Sequence, residues 1–384
     1  MTSPTKEATR TAAAPKPAHA TGKTTVAAAP RLPALPRLVI FTRDDPTRST
    51  GGVETFTQRL LDAFPESVVV AYAGAAGKRR VCDEARDAWA AGSDLAQTVA
   101  RLRPAAVVAN GAAGWMLRAS VPVVSVCHGT YAGLGRAIAP IEPLRGLVAR
   151  TYGGWLERRA ARRRAAIVAV SSSTADQVRA LYGVRTSVRV IENCGAPDDR
   201  MRPSSLDARR HLHLAEDAPV VLYVGRAEKT KGFDEVVALA RERPKATVLV
   251  AGAAPKTGLP PNLRMFGIVS KDPLRRLLAA CDAVVLPSRY EGCSLALIEA
   301  LLADRPIVAT ATGCFPTTGE HPFGIVVPLG KPEELRAPFL AAVDAVLAAP
   351  QRFTPRAATA ARFSFQRFAE EWRTLIREVA PDAK

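Results

Sequence analysis

The stretch "APVVLYVGRAEKTKGFDEVVALARER", residues 218–243, runs from a valine-rich segment through a loop of glycine and basic residues into an amphipathic segment. A short apolar run without polar alternation suits a strand buried on both faces, as in a parallel sheet. The same succession has already occurred upstream. "RLVIFT" (37–42) is followed by "GGVETFTQRLLDAF" (51–64), a glycine loop that opens an amphipathic helix. "SVVVAYA", "AAVVAN", "VPVVSVC" and "AAIVAV" then read as further strands, with polar helical segments between them. "SSTADQVRALYG" (172–183) starts on capping residues and stops at Gly183, as helices do. "SVRVIENCGAP" (187–197) closes this half. After residue 218 the strands are "ATVLVAG", "CDAVVLPS" and "RPIVATATG", and the helices are "KDPLRRLLAA" and "SLALIEALLA". Two successive α/β units predict two doubly wound domains with a hinge near residues 195–215. The last segment, "SFQRFAEEWRTLIREVA" (364–380), follows no strand and is expected to pack back across the first domain.

The predicted organisation is a basic tail over 1–36, a first domain over 37–200, a second over 201–355, and a terminal helical segment over 356–384. The tail is rich in Ala, Pro and Thr with scattered Lys and Arg, a composition that does not build a core. It carries no apolar stretch of the secretory kind. No run approaches the roughly 20 apolar residues that span a bilayer. The six cysteines, Cys82, Cys127, Cys194, Cys281, Cys293 and Cys314, have neither metal-ligand nor disulfide-framework spacing. They read as thiols in a reducing compartment, and the expected location is the cytoplasm. A formal net charge of +17 admits nucleic acid, an anionic membrane surface or an anionic substrate as partner. The charge gathers in the tail and in "ERRAARRRA" (157–165), and neither interleaves the aromatics of a single-strand binding platform. No nucleic-acid-binding motif of the usual kinds is present, so nucleic acid is not expected as a partner.

In open parallel sheets the ligand sits at the carboxyl ends of the strands. Candidate residues lie in loops at such places. Gly51 and Gly52 precede a helix, where free N–H groups can meet an anion. His128, in "CHGTYAG", follows the strand "VPVVSVC". Gly225, Arg226, Lys229 and Lys231 follow a strand and precede a helix beginning near Gly232. Cations converging with a helix end suit a diphosphate, although the spacing is not that of a Walker loop. In "RYEGCSLALIEALL" (289–302), Glu291 falls in a loop and Glu299 about one and a half turns into the following helix. Two carboxylates beside a phosphate site suit the hydroxyls of a sugar and a ribose.

The order of these clusters, G-G, His-Gly, G-R-x-x-x-x-K-G and E-x7-E followed by "ALLADRPIVATATG", resembles the retaining glycosyltransferases of family 4. The resemblance runs from about residue 37 to the final helix and implies the GT-B architecture, two Rossmann-like domains facing across a cleft. It implies that Arg226 and Lys231 hold the donor diphosphate, that Glu299 bonds the nucleotide ribose, and that Glu291 contacts the donor sugar. Backbone N–H groups from Gly292, Cys293, Ser294 and Leu295 support the sugar or phosphate. The resemblance further implies that Gly51 and Gly52 face diphosphate and acceptor, that Gly225 lies in the diphosphate loop, and that His128 stands near the reacting carbon. The implied donor is a UDP- or GDP-linked sugar. The expected acceptor is a glycan or glycolipid of a cell-surface polysaccharide or lipopolysaccharide. No cofactor and no metal are implied, and the sequence has no D-x-D to hold one. Three residue choices differ from the common pattern: Cys293-Ser294 after Glu291-Gly292, Glu320 displaced beyond "TATG", and "NCG" (193–195) in place of an Asn-Gly turn. A sugar-nucleotide epimerase or hydrolase of the same architecture is the alternative reading, and a nucleic-acid-binding protein is a more distant one. "LRGLVARTYGGWLERRAARRRA" (144–165) sets Trp155, Leu147 and Val148 among arginines, which suits an anionic membrane surface.

Overall fold

The computed structural model describes residues 37–47, 51–72, 87, 89–111, 117, 119–162, 164–184, 186–196 and 205–382. The basic tail and Cys82 lie outside the described residues.

The valine-rich runs form the strands. In the first half these are β1 (Leu38–Thr42), β2 (Val68–Ala71), β3 (Ala106–Asn110), β4 (Val123–Cys127), β5 (Ala166–Ala169) and β6 (Val188–Val190). They make a parallel sheet in the order β2-β1-β3-β4-β5-β6. β1, β3, β4 and β5 are buried along their whole length. Helices cover both faces, and each fully buried Val or Leu contributes about 1.5–3 kcal/mol.

The second half contains β7 (Val220–Val224), β8 (Thr247–Ala251), β9 (Leu263–Met265), β10 (Ala283–Leu286), β11 (Ile307–Thr310), β12 (Gly319–His321) and β13 (Gly324–Val327). Their order is β12-β13-β11-β10-β7-β8-β9, parallel except for β12 on one edge. The short strands β9, β12 and β13 extend the sheet beyond the strands legible in the sequence.

Each sheet reverses its direction of growth across its first strand. In the first, the chain moves outward from β1 to β2 and then returns to place β3 on the other side of β1. In the second, it moves outward through β7, β8 and β9 and returns to place β10 beside β7. At such a switch point the loops leaving adjacent strands part in opposite directions and open a crevice.

The chain ends away from the second sheet. Helix Phe365–Val379, capped by Ser364, buries Phe368 and Trp372 against Phe56 of helix Gly52–Ala63. Arg373 donates to the carbonyl of Ala63, and Arg189 of β6 pairs with Glu378. The two stretches that connect the lobes also touch each other. The N–H of Gly195 donates to the Phe363 carbonyl at 3.0 Å, and Arg367 donates to the carbonyls of Glu192 and Asn193.

Candidate active site

The β7–β8 and β10–β11 connections begin at the second switch point. After β7, Gly225 leads to Arg226 and to a short turn over Lys229–Lys231. The buried phenol of Tyr223 donates to the Arg226 carbonyl at 2.7 Å and so ties the loop to its strand. Gly232 follows with φ 67°. A β-carbon there would lie 2.0 Å from the carbonyl oxygen of Pro287, so only glycine lets the two loops close on each other.

After β10 the chain reads Pro287 to Gly292 and enters helix Leu295–Leu302 through the cap Ser294, whose hydroxyl accepts from the N–H of Leu297. Lys231 Nζ stands 2.7 Å from Glu291 Oε1, and the Ser288 hydroxyl donates to the same oxygen at 2.8 Å. Both side chains are mostly covered, with 24% of Lys231 and 11% of Glu291 exposed. An ammonium and a carboxylate are therefore held together at the point where the sheet topology opens a crevice.

The other donor-side residues stand apart from this pair to different degrees. Arg226 is 63% exposed and pairs with Glu228 at 3.0 Å. Lys229 is exposed. Glu299 lies half-buried on the second turn of helix Leu295–Leu302. Cys293 is buried, and its carbonyl accepts from the Asn193 amide at 2.7 Å, a bond that crosses between the lobes. Leu295 begins the helix.

On the first lobe a cavity of about 290 Å³ opens where the loops leave β1, β3 and β4. Arg43, Asp44, Glu54, Gly111, His128 and Glu157 contribute to its wall. Gly51 caps helix Gly52–Ala63 in an extended conformation, and Gly52 starts it. Burial raises the pKa of Glu54, and the nearby Asp44 pushes the same way. Glu157 is buried and accepts from the N–H of Tyr131 and from the Tyr182 hydroxyl.

His128 is packed edge-on against Phe56, with ring centroids 4.7 Å apart. Its Nε2 lies 3.2 Å from Asn110 Oδ1, while the Asn110 amide nitrogen donates to Thr57 Oγ1 at 3.0 Å. That arrangement makes Asn110 Oδ1 the acceptor and puts the proton on Nε2. Burial lowers the pKa of His128 to about 4, so the imidazole is neutral near pH 7. Asn110 ends β3, and nothing local in the sequence pairs it with His128.

The lobes meet at this place. Tyr290, the residue before Glu291, extends to the first lobe and forms part of the cavity wall. Its hydroxyl accepts from the Thr130 N–H at 2.5 Å and lies 2.9 Å from Gln177 Oε1. A β-carbon on Gly292 would lie 1.9 Å from the His128 carbonyl oxygen. The loop Ser288–Gly292 thus joins the two sides: Glu291 on it meets Lys231, Tyr290 lines the His128 cavity, and Gly292 packs on the His128 carbonyl.

Two doubly wound lobes whose switch points meet across such a cleft define the GT-B class of fold. Residues 50–195 match the family described as Glycosyltransferase Family 4, and residues 205–351 match that described as Glycosyl transferases group 1. The chain belongs to this family of glycosyltransferases. It is 27% identical over 250 residues to an alpha-D-kanosaminyltransferase of Streptomyces kanamyceticus, covering 59% of this chain and 63% of that protein. The chain spans less than two thirds of the length of the first curated relatives that it matches. Among solved structures, sucrose-phosphate synthase from Thermosynechococcus elongatus superposes with a TM-score of 0.76 at 18% identity, covering 89% of this chain and 98% of that one. Anabaena Alr3699/HepE in complex with UDP-glucose gives 0.68 at 18% identity, covering 89% and 99%. At that identity the superpositions speak for the fold.

Proposed function

We propose that the protein is a retaining glycosyltransferase that moves a hexosyl-type sugar from a UDP- or GDP-linked donor to a glycan or glycolipid acceptor. The observation that carries this reading is the Lys231–Glu291 pair, 2.7 Å apart, on a loop whose neighbouring Tyr290 lines the His128 cavity of the other lobe. In the reaction, negative charge grows on the departing diphosphate. Lys231 neutralises it, with Arg226 at the exposed rim of the loop, and the fixed cations need no metal. Glu291 orients donor hydroxyls. It is not a covalent nucleophile, so configuration is retained by attack from the face the diphosphate leaves, with the leaving phosphate taking the acceptor proton. Glu299 holds the ribose, and backbone N–H groups from Gly292 to Leu295 support the sugar. His128, neutral and hydrogen-bonded to Asn110, shapes the acceptor side. Gly51 and Gly52 bring backbone N–H groups to the same cleft. A separate cavity beside the donor groups favours transfer over a donor-only epimerase or hydrolase.

The acceptor is proposed to belong to a cell-surface polysaccharide or lipopolysaccharide assembled on the cytoplasmic face of a membrane. Segments Pro143–Val148, Ala149–Gly153 and Gly154–Ala161 run on as one helical rod with a wider middle turn. Its inner side packs Gly146, Ala149, Gly153 and Leu156, while its outer side exposes Leu144, Leu147, Val148, Tyr152 and Trp155 beside Arg150, Arg158 and Arg159. Such a face suits the interface of an anionic bilayer. No helix among the described residues is long and apolar enough to cross a membrane.

A thermal-shift panel of UDP, GDP and their sugars tests the donor reading. A true ligand at a hundredfold excess over its Kd adds about 2.7 kcal/mol to stability. Absence of a shift with every nucleoside diphosphate overturns the reading. Turnover that is complete without acceptor favours the hydrolase or epimerase instead. Equal co-sedimentation with anionic and neutral vesicles removes the membrane assignment and leaves the transfer reaction standing.

A further inference from the structure

Arg289 is 3% exposed and lies two residues before Glu291, yet it points away from the cleft into the body of the second lobe. Its guanidinium meets the first turn of helix Phe233–Glu242 bidentately, with Nη1 donating to Asp234 Oδ1 at 2.9 Å and Nη2 to Oδ2 at 2.8 Å. Nη1 also donates to the carbonyl of Lys229, and Nη2 lies 3.4 Å from Glu235 Oε1. The Arg289 N–H donates to the carbonyl of Thr230 at 3.0 Å. Glu235 is fully buried and receives a second arginine, Arg336, at 3.0 Å. Two guanidinium groups and two carboxylates thus form one chain of charges behind the cleft.

Burying an arginine gives little net stability, because desolvation offsets most of the Coulomb attraction. What the planar fork provides is geometry: it fixes two partners in one plane, which a lysine cannot do. Here the fork reaches from the Ser288–Gly292 loop, which carries Arg289 and Glu291, to Asp234 and to the Lys229 carbonyl of the turn that carries Lys231. The carbonyls of Lys229 and Thr230 belong to the turn that ends in Lys231, and the backbone of Arg289 continues into Glu291. We infer that Arg289 is a positioning residue, which holds the Lys229–Lys231 turn against the Ser288–Gly292 loop so that Lys231 and Glu291 meet in the cleft. It touches no substrate. The inference deepens the proposed transfer function and rests on it for its kinetic consequences, while the geometric claim stands by itself.

Arg289→Lys keeps the charge and loses the fork. Its expected kinetic effect is a fall in kcat of about tenfold to a hundredfold at saturating donor, the scale for a reacting group misplaced by about 1 Å. The KM for the donor changes less than kcat. The loss does not add to that of Lys231→Met, because both substitutions act on one group. Arg289→Ala is partly rescued by millimolar guanidinium ion and not by sodium. A role in stability alone would lower the melting temperature without the kcat-selective loss, the non-additivity or the rescue. A second readout needs no turnover: mass-spectrometric labelling with an amine-specific reagent. In Arg289→Lys the labelling of Lys231 rises severalfold while that of Lys256 stays constant. Unchanged Lys231 labelling in a folded Arg289→Lys protein overturns the inference, as does wild-type kcat. If the wild-type protein binds no nucleoside diphosphate, the functional reading fails and the labelling result still decides the role of Arg289.

Discussion

Replacing Lys231 with methionine removes one charge and little volume. In the resting protein the lysine contributes a contact of 2.7 Å to a carboxylate that also receives the Ser288 hydroxyl. The pair is mostly covered, so removing the lysine leaves Glu291 without its cation and costs more than the about 0–1 kcal/mol of an exposed pair and less than the about 3–5 kcal/mol of a fully buried one. The melting temperature falls by about 2–4 °C for each kcal/mol lost, on the scale for 150–250 residues. Loss of one preorganised charge donor at a developing oxyanion costs about 10²–10³ in kcat, or about 2.7–4 kcal/mol. A charge-assisted hydrogen bond to the ground-state diphosphate is worth about 1.5–3 kcal/mol, so the Kd for the nucleoside diphosphate rises about tenfold to a hundredfold. The assay combines steady-state transfer at saturating donor with calorimetric titration of UDP and GDP. Turnover within about threefold of wild type, in a protein of unchanged melting temperature, would refute the assignment of Lys231 to the departing diphosphate.

Three other outcomes follow from the geometry. Gly292→Ala puts a β-carbon 1.9 Å from the His128 carbonyl, so the lobes separate. Small-angle scattering should show a larger radius of gyration, with activity lost and the far-ultraviolet dichroism retained. Trp372→Ala empties a fully buried site between the last helix and Phe56. It should cost about 3–5 kcal/mol, while the exposed Trp155→Ala stays within about 0.5 kcal/mol of wild type. For His128 the folded pKa of about 4 lies below the ordinary 6.5, so its contribution to stability is full above pH 6.5 and is lost as pH falls toward 4. The full shift corresponds to about 3 kcal/mol, and screening at the cavity wall reduces this to about 1–2 kcal/mol. Denaturant titrations of wild type and His128→Asn between pH 4 and 7 should differ in slope over that window. Parallel profiles would refute the burial of a neutral imidazole.

The strands that build the two sheet centres were legible because each is a run of Val, Ile, Leu and Ala with no polar alternation. β9 and β12 were not, since three residues that include charged ones carry too little pattern, and β13 was missed with its partner β12. The loops after β1, β4, β7 and β10 could be located by position, because a parallel sheet presents its ligand at those ends. How the side chains share the work was less visible. Sequence spacing treats Arg226 and Lys231 alike, yet in the fold Lys231 meets Glu291 and Arg226 turns outward to Glu228. Asn110, Tyr290 and Arg289 escaped notice for a common reason. Their partners, His128, Thr130 and Asp234, are distant in the chain, and no local periodicity records such contacts.

The polypeptide passes between the lobes twice, and the hydrogen bond from Gly195 to Phe363 fastens the two passages side by side. Paired straps fastened in this way hold the two lobes in register where the chain crosses. A protease cut after Gly195, anywhere before Ser205, would therefore not free either half. The severed pieces would stay joined through the second strap, because the last helix is buried against Phe56 of the first lobe.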